Sequence, residues 1–333
     1  MKAASQPTTR RVVIRSAAAL TLGGALARSG WGRIALAQEA TPVASFPMSL
    51  GLPEFRITIS DTGFQAPNQI AAGQVLLTAT NNSRQPADAN LVLPPSGIGL
   101  HDVAALFGPA MATAVAAGTP PEGAMASWVY QATWAGGLIV PAGQTLQGVV
   151  DLTPGDWILL NDSPASPQQP QTVTVGAGAA GTAAASASPM AGAEIPADVT
   201  VELQEYAFLG LDHPIPAGPH IWKFSNTGKQ PHFMLLTKGP AGITLDQVMT
   251  LVNLSDNATP PPGFPYQESQ FDFNQPGVAV LSPGHTSWVA MDLTPGTYIA
   301  LCFVPDEKTG APHAAMGMIA IFTVGEGMAT PAA

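Results

Sequence analysis

The stretch Tyr298-Ile-Ala-Leu-Cys302-Phe-Val-Pro-Asp-Glu-Lys-Thr-Gly-Ala-Pro-His313-Ala-Ala-Met316-Gly-Met318-Ile-Ala-Ile-Phe-Thr-Val324 sets the chain's only cysteine, a histidine and two methionines between two apolar, strand-like runs. Taken singly, these residues have ordinary readings: a lone cysteine is usually a small buried hydrophobe and a methionine fills core space. Taken together, thiolate, imidazole and thioether are a soft donor set that selects copper, most completely as two histidines and a cysteine with a weak axial methionine. The stretch lacks the second histidine. Pro231-His232-Phe233, at the head of the apolar run Met234-Leu-Leu-Thr237, is placed to supply it.

At these residues the chain resembles the cupredoxins, the family of plastocyanin, azurin and rusticyanin. His313-Ala-Ala-Met-Gly-Met318 before a run ending Phe-Thr-Val324 is similar to the plastocyanin pattern, in which an exposed histidine precedes a Gly-Met pair that opens the last strand. Ile215-Pro-Ala-Gly218 to Phe224-Ser-Asn226-Thr-Gly228, then Pro231-His232, resembles the family's first-ligand region. The resemblance covers residues 197–325 closely and 52–175 in outline. It implies one type 1 copper held by His232, Cys302, His313 and, weakly, Met318, with Met316 as the fallback axial ligand. Ten residues separate Cys302 from His313, a longer loop than those relatives have, so colour and potential do not carry over. Its charged, glycine-containing segment Pro305–Pro312 has few apolar anchors, which predicts a loop that is mobile without metal.

The chain also repeats itself. Ile70 to Ala87 aligns without a gap on Ile215 to His232, Gly97-Ile-Gly-Leu100 on Gly242-Ile-Thr-Leu245, and Asp151 to Asn161 on Asp292 to Cys302. Self-similarity on this scale predicts two domains of one fold. Ala87 then stands in the place of His232 and Asn161 in the place of Cys302, so the first copy carries no ligand. Short alternating runs such as Phe55–Ile59 and Val199–Leu203, broken by Pro, Gly and Asn, read as an all-β sandwich. Leu100–Ala117 and Leu245–Leu254 read as helical insertions at equivalent places. The predicted architecture is two tandem cupredoxin-like Greek-key β-sandwiches, each with a short helical insertion, at residues 52–175 and 197–325. An Ala/Gly/Ser/Pro linker at 176–196 joins them, and a tail follows at 326–333.

Thr9-Arg10-Arg11-Val-Val-Ile14-Arg15 ahead of the apolar run Ser16–Ala27 resembles a twin-arginine export signal, with Ala35-Leu-Ala37 as the cleavage site and a flexible leader at 38–51. Removing residues 1–37 takes away six of the 12 basic residues and none of the 22 acidic ones, leaving a net charge of −16. That balance disfavours nucleic acid, whose phosphates need clustered Lys and Arg, and suits a soluble periplasmic or extracellular protein with a basic redox partner. One cysteine cannot form an internal disulfide.

Catalytic copper chemistry is counted against. There are six histidines, and Phe303, not histidine, follows Cys302; a resemblance to multicopper oxidases would need about eight histidines beyond a type 1 pair. His101, His213, His220 and His285 sit in segments read as a helix start or turns and carry no ligand pattern. No phosphate loop or nucleophile elbow is present, and no small-molecule substrate is expected. The sequence thus reads as a one-electron carrier and not an enzyme. The alternative is copper storage or delivery, or a non-redox binding sandwich whose site is structural or lost.

Overall fold

The computed structural model describes residues 45–47, 50–110, 113, 125–163, 168–176, 195–254 and 260–325. The signal, most of the leader, nearly all of the linker and the tail lie outside the described residues. What is described is all-β with a few short helices. The first half contains β1 (Glu54–Ser60), β2 (Gly63–Gln65), β3 (Gln69–Ala71), β4 (Gly73–Asn81), β5 (Ala87–Leu93), β6 (Thr133–Val140), β7 (Thr145–Leu152), β8 (Gly155–Leu160) and β9 (Gln171–Gly176). The second contains β10 (Val199–Gln204), β11 (Ala207–Leu209), β12 (Ile215–Pro216), β13 (Gly218–Asn226), β14 (His232–Gly239), β15 (Gly277–Leu281), β16 (Thr286–Leu293), β17 (Gly296–Leu301) and β18 (Ile319–Gly325).

Pairing repeats at residue level. Gly73 pairs with Leu152 as Gly218 pairs with Leu293, and Ser60 with Gly63 as Gln204 with Ala207. Buried Asn81 donates through Nδ2 to Gln85 O and Val140 O, and its Oδ1 accepts from Ser83 N. Asn226 does the same with Gln230 O, Leu281 O and Gly228 N. In both halves this amide satisfies buried backbone groups that would otherwise cost free energy, and it fixes the chain entering the next strand.

One feature was not expected from the sequence: the two halves share their sheets. One sheet runs β11-β10-β13-β16-β7-β4-β1-β2 and the other β12-β18-β17-β14-β15-β6-β5-β8-β9-β3. The joins are β7 to β16 and β6 to β15, both antiparallel. At the seam β15 is buried along its whole length and β6 beyond its first residue, unlike the alternating β10, so their apolar runs face packing on both sides. Pairing at the seam covers four strand edges, those of β6, β7, β15 and β16. The edges left free, β2, β3, β11 and β12, are two or three residues long, which limits pairing with other chains. Gly148 permits the join, since a Cβ there would lie 2.8 Å from Trp288 O and 2.6 Å from Leu138 Cδ2. A single buried cluster runs between the sheets, including Phe55, Trp157, Trp222, Phe224 and Tyr298. Each large apolar side chain buried there contributes about 1.5–3 kcal/mol.

Helices Leu100–Phe107 and Leu245–Val252 begin at equivalent residues, as expected; the second ends sooner than the sequence suggested, whereas in the first a bend at Gly108 is followed by helical residues 109, 110 and 113, and residues 114–117 lie outside the described set. A third, Trp128–Gln131, has no counterpart in the sequence reading. It packs with Phe107 and Trp134 against Val280 and Phe233, so the first half's insertion lies beside the strand that begins with His232. Among the described residues no helix is long and apolar enough to cross a membrane.

Candidate metal centre

His232, Cys302 and His313 come together at one end of the second half. His232 is the first residue of β14 and pairs with Leu281, whose carbonyl is held by Asn226. Cys302 follows the last residue of β17, and its N–H points to Met318 O at 3.4 Å. His313 opens a short 3-10 turn, His313–Met316, with its N–H on Val304 O at 2.9 Å. Gly317, at φ 109°, then turns the chain into β18.

The donor atoms are Nδ1 of both imidazoles and the sulfur. His232 Nδ1 lies 3.0 Å from His313 Nδ1, and Cys302 Sγ lies 3.9 Å and 3.6 Å from them. One ion bound at about 2.0–2.3 Å from N and S donors spans separations of this size. All three residues are 0 % exposed. Nε2 of each histidine is buried without a hydrogen-bond partner, so neither ring is explained by an ordinary core network. Among the described residues this is the only cluster of three or more His, Cys, Asp or Glu with converging ligand atoms.

Burial sets the protonation. It lowers His232 to about 4 and, with the neighbouring His232 adding to the effect, His313 to about 3; both rings are neutral donors at pH 7. Burial pushes the Cys302 thiol up to about 12, opposed by the backbone N–H groups of Phe233 and Val304, which favour the thiolate. A bound cation would supply the remaining stabilisation, because a coordinating thiol is deprotonated outright. The residues therefore fit a soft metal ion.

The first half carries a plug at the matching place. Asn161 Oδ1 accepts the N–H groups of Asp88 and Ser163 at 2.9 and 3.0 Å, the counterparts of the Phe233 and Val304 groups that face the Cys302 sulfur. An amide oxygen thus satisfies the two amides, and Ala87, fully buried, fills the place of His232.

Two expectations need correction. The resemblance implied an exposed histidine at position 313; His313 is completely buried, with the Tyr206 ring edge-on at 5.3 Å. It also predicted a weakly anchored loop, but Asp306 organises the loop from within. Its Oδ1 accepts from Thr309 N and Oγ1, both at 2.7 Å, and from Lys308 N at 3.2 Å, while Oδ2 accepts from Tyr206 Oη and Gln230 Nε2 at 2.9 Å. A Pro305–Pro312 bridge and Asp306 N to Ala311 O close the turn. From the first half, Tyr130 Oη donates to Pro305 O at 2.8 Å. Asp306 and the two tyrosines were missed because their partners are distant in sequence; the charge of the loop was read as a lack of anchors.

The methionines separate. Met316 is half-buried, with its sulfur 3.6 Å from Thr309 Oγ1. Met318 is fully buried in the same cluster as Cys302. The remaining histidines stand apart: His101 is exposed, His213 sits beside Asp212, His220 lies in β13 near Asp198, and His285 lines a shallow cleft with Ser225 and Thr286.

No family description and no curated protein matches the chain. Among solved structures it is similar to a dithionite-reduced auracyanin from the photosynthetic bacterium Roseiflexus castenholzii, with 26% identity over 38% of this chain and 94% of that one and a TM-score of 0.25. Auracyanin A, a "blue" copper protein from Chloroflexus aurantiacus, is 21% identical over 38% of this chain and 98% of its own, with a TM-score of 0.24. A multi-copper oxidase from Pediococcus acidilactici is 11% identical over 83% of this chain and 60% of that one, with a TM-score of 0.21. At such TM-scores the chemistry of the centre rests on its own geometry.

Proposed function

We propose that this chain is an exported type 1 copper protein that carries single electrons through one copper, held by His232, Cys302 and His313 with Met318 as the weak axial donor. The observation that carries this reading is the convergence of two imidazole Nδ1 atoms and one thiol sulfur, all buried, at 3.0 to 3.9 Å from one another. When bound, copper supplies a one-electron couple at such a donor set. The chain's part is to hold the donors. β14 and β17 fix His232 and Cys302 through paired strands, and the Asp306-centred loop fixes His313, so the donors shift little between oxidation states. Tyr206 and the loop keep water from the centre. The amides of Phe233 and Val304 stabilise charge on the sulfur.

In this reading the two halves are copies of one cupredoxin-like sandwich, and Asn161 and Ala87 mark a metal site lost from the first. The first half then serves as scaffold, with Tyr130 bracing the ligand loop. Export through the twin-arginine-like segment and a basic redox partner for the acidic surface belong to the same proposal. Electron transfer is favoured over oxidase chemistry because His101, His213, His220 and His285 do not gather into a second cluster.

Copper(II) titration of the purified chain tests the reading. One equivalent with intense visible absorption, absent in Cys302→Ser, is the expected result. A colourless or loosely held ion points to storage or delivery instead. Full colour retained in Cys302→Ser refutes the ligand set.

A further inference from the structure

Glu205 opens the turn after β10. Its Oε1 accepts the backbone N–H groups of Lys229 and Gln230, the latter at 2.7 Å, and lies 3.5 Å from His232 Nε2. That nitrogen is buried and has no hydrogen-bond partner. Gly228 lies between the two groups: a Cβ there would stand 2.8 Å from Glu205 Oε1 and 2.9 Å from His232 Nε2.

The first half builds the same turn without that reach. Asp61 takes the place of Glu205 and accepts Arg84 N at 3.2 Å, as Glu205 accepts the N–H of Lys229. Ser83 takes the place of Gly228, and Ala87 that of His232. Three positions therefore differ together: a longer acid, a turn residue without a side chain, and an imidazole. The shorter acid suffices for the turn, so the extra methylene and the missing Cβ find their use at His232.

We propose that Glu205 is the positioning residue of His232: its carboxylate keeps the ring proton on Nε2, leaving Nδ1 unprotonated toward Cys302 and His313, and Gly228 clears the path between them. This rests on the copper reading above. A neutral imidazole carries its proton on one nitrogen, and the partner of the non-ligating nitrogen decides which. At 3.5 Å the pair is about half an ångström longer than an ordinary N–H···O bond, yet no other acceptor competes for the proton. A carboxylate behind a ligating histidine also raises the basicity of the ligand nitrogen.

The test separates the turn from the metal. Glu205→Asp keeps an acid able to accept the N–H of Lys229, as Asp61 does for Arg84, but withdraws it from His232. Gly228→Ala leaves the acid intact and obstructs the contact. Copper(II) affinity, by competition against a chelator, should fall about 10- to 100-fold in both, whereas Glu205→Gln, which keeps an acceptor, should recover most of the loss. Long-range proton–nitrogen NMR of metal-free protein should place the His232 proton on Nε2 in the parent and on both nitrogens in Glu205→Asp. If Glu205→Asp unfolds, Gly228→Ala decides. Affinities within twofold of the parent and an unchanged tautomer in the folded variants overturn the proposal. A parent that binds no copper overturns the metal reading instead, and the tautomer then judges Glu205 alone.

Discussion

Replacing Asp306 by Asn should destabilise the metal-free protein by about 2–4 kcal/mol at pH 7, and the gap should close in acid. Asp306 is 4 % exposed, so its bonds are little screened by water. Burial would raise its pKa, but hydrogen bonds from Gln230, Thr309 and Tyr206 outweigh that and hold it well below the usual carboxylate range. In the variant the amide oxygen still accepts from Thr309 and Lys308, each bond falling from about 1.5–3 to about 0.5–1.5 kcal/mol with loss of charge. The new NH2 faces Gln230 Nε2, donor against donor. Gln230 cannot simply turn over, because its Oε1 accepts Glu307 N at 2.8 Å. An unpaired buried donor costs about 1–3 kcal/mol more, and these losses overlap. Since the folded pKa is depressed, the carboxylate's contribution is fully present above its unfolded value near 3.9 and is lost as pH falls through the folded value. Urea unfolding at pH 7 and at successively lower pH measures this as a shift in midpoint at constant slope. A gap under about 0.5 kcal/mol at pH 7, or one that widens on acidification, refutes the view that Asp306 organises the ligand loop.

Met318→Leu should keep the visible band while shifting the reduction potential, because the axial donor is weak; spectroscopy with voltammetry checks it, and loss of all colour would make Met318 more than an axial ligand. Asn81→Ala and Asn226→Ala each strip two backbone carbonyls of their side-chain amide donor and should each cost about 2–4 kcal/mol by urea unfolding. Only Asn226→Ala should also weaken copper binding, since Asn226 steadies Leu281 opposite His232; equal effects on copper would break that link. Gly148→Ala drives a Cβ into Trp288 O at the seam and should lose about 1–3 kcal/mol, with circular dichroism retaining the β signal. A neutral result would mean that the seam yields without strain.

The order of His232, Cys302, His313 and Met318 along the chain, each beside an apolar run, was enough to bring out the donor set and the all-β class. Donor chemistry is carried by residue type and strands by alternation, and both are local properties. The alignment of Ala87 with His232 and of Asn161 with Cys302 was also legible, because a repeat is a relation between letters. What the letters did not carry was every contact that depends on which strands become neighbours. The seam of β6 with β15 was hidden because a buried strand reads like any other apolar run, and that of β7 with β16 because alternation does not show which strand pairs with which. The anchoring role of Asp306 was hidden because a carboxylate's partners, here Tyr206 and Gln230, lie far off in sequence. The burial of His313 under Tyr206 and the 3.5 Å approach of Glu205 to His232 follow from turns at the same end of the sandwich. The chain therefore specified which atoms could bind a metal, and packing between distant turns decided how those atoms are covered, oriented and held, because burial and hydrogen bonding act through space and not along the chain.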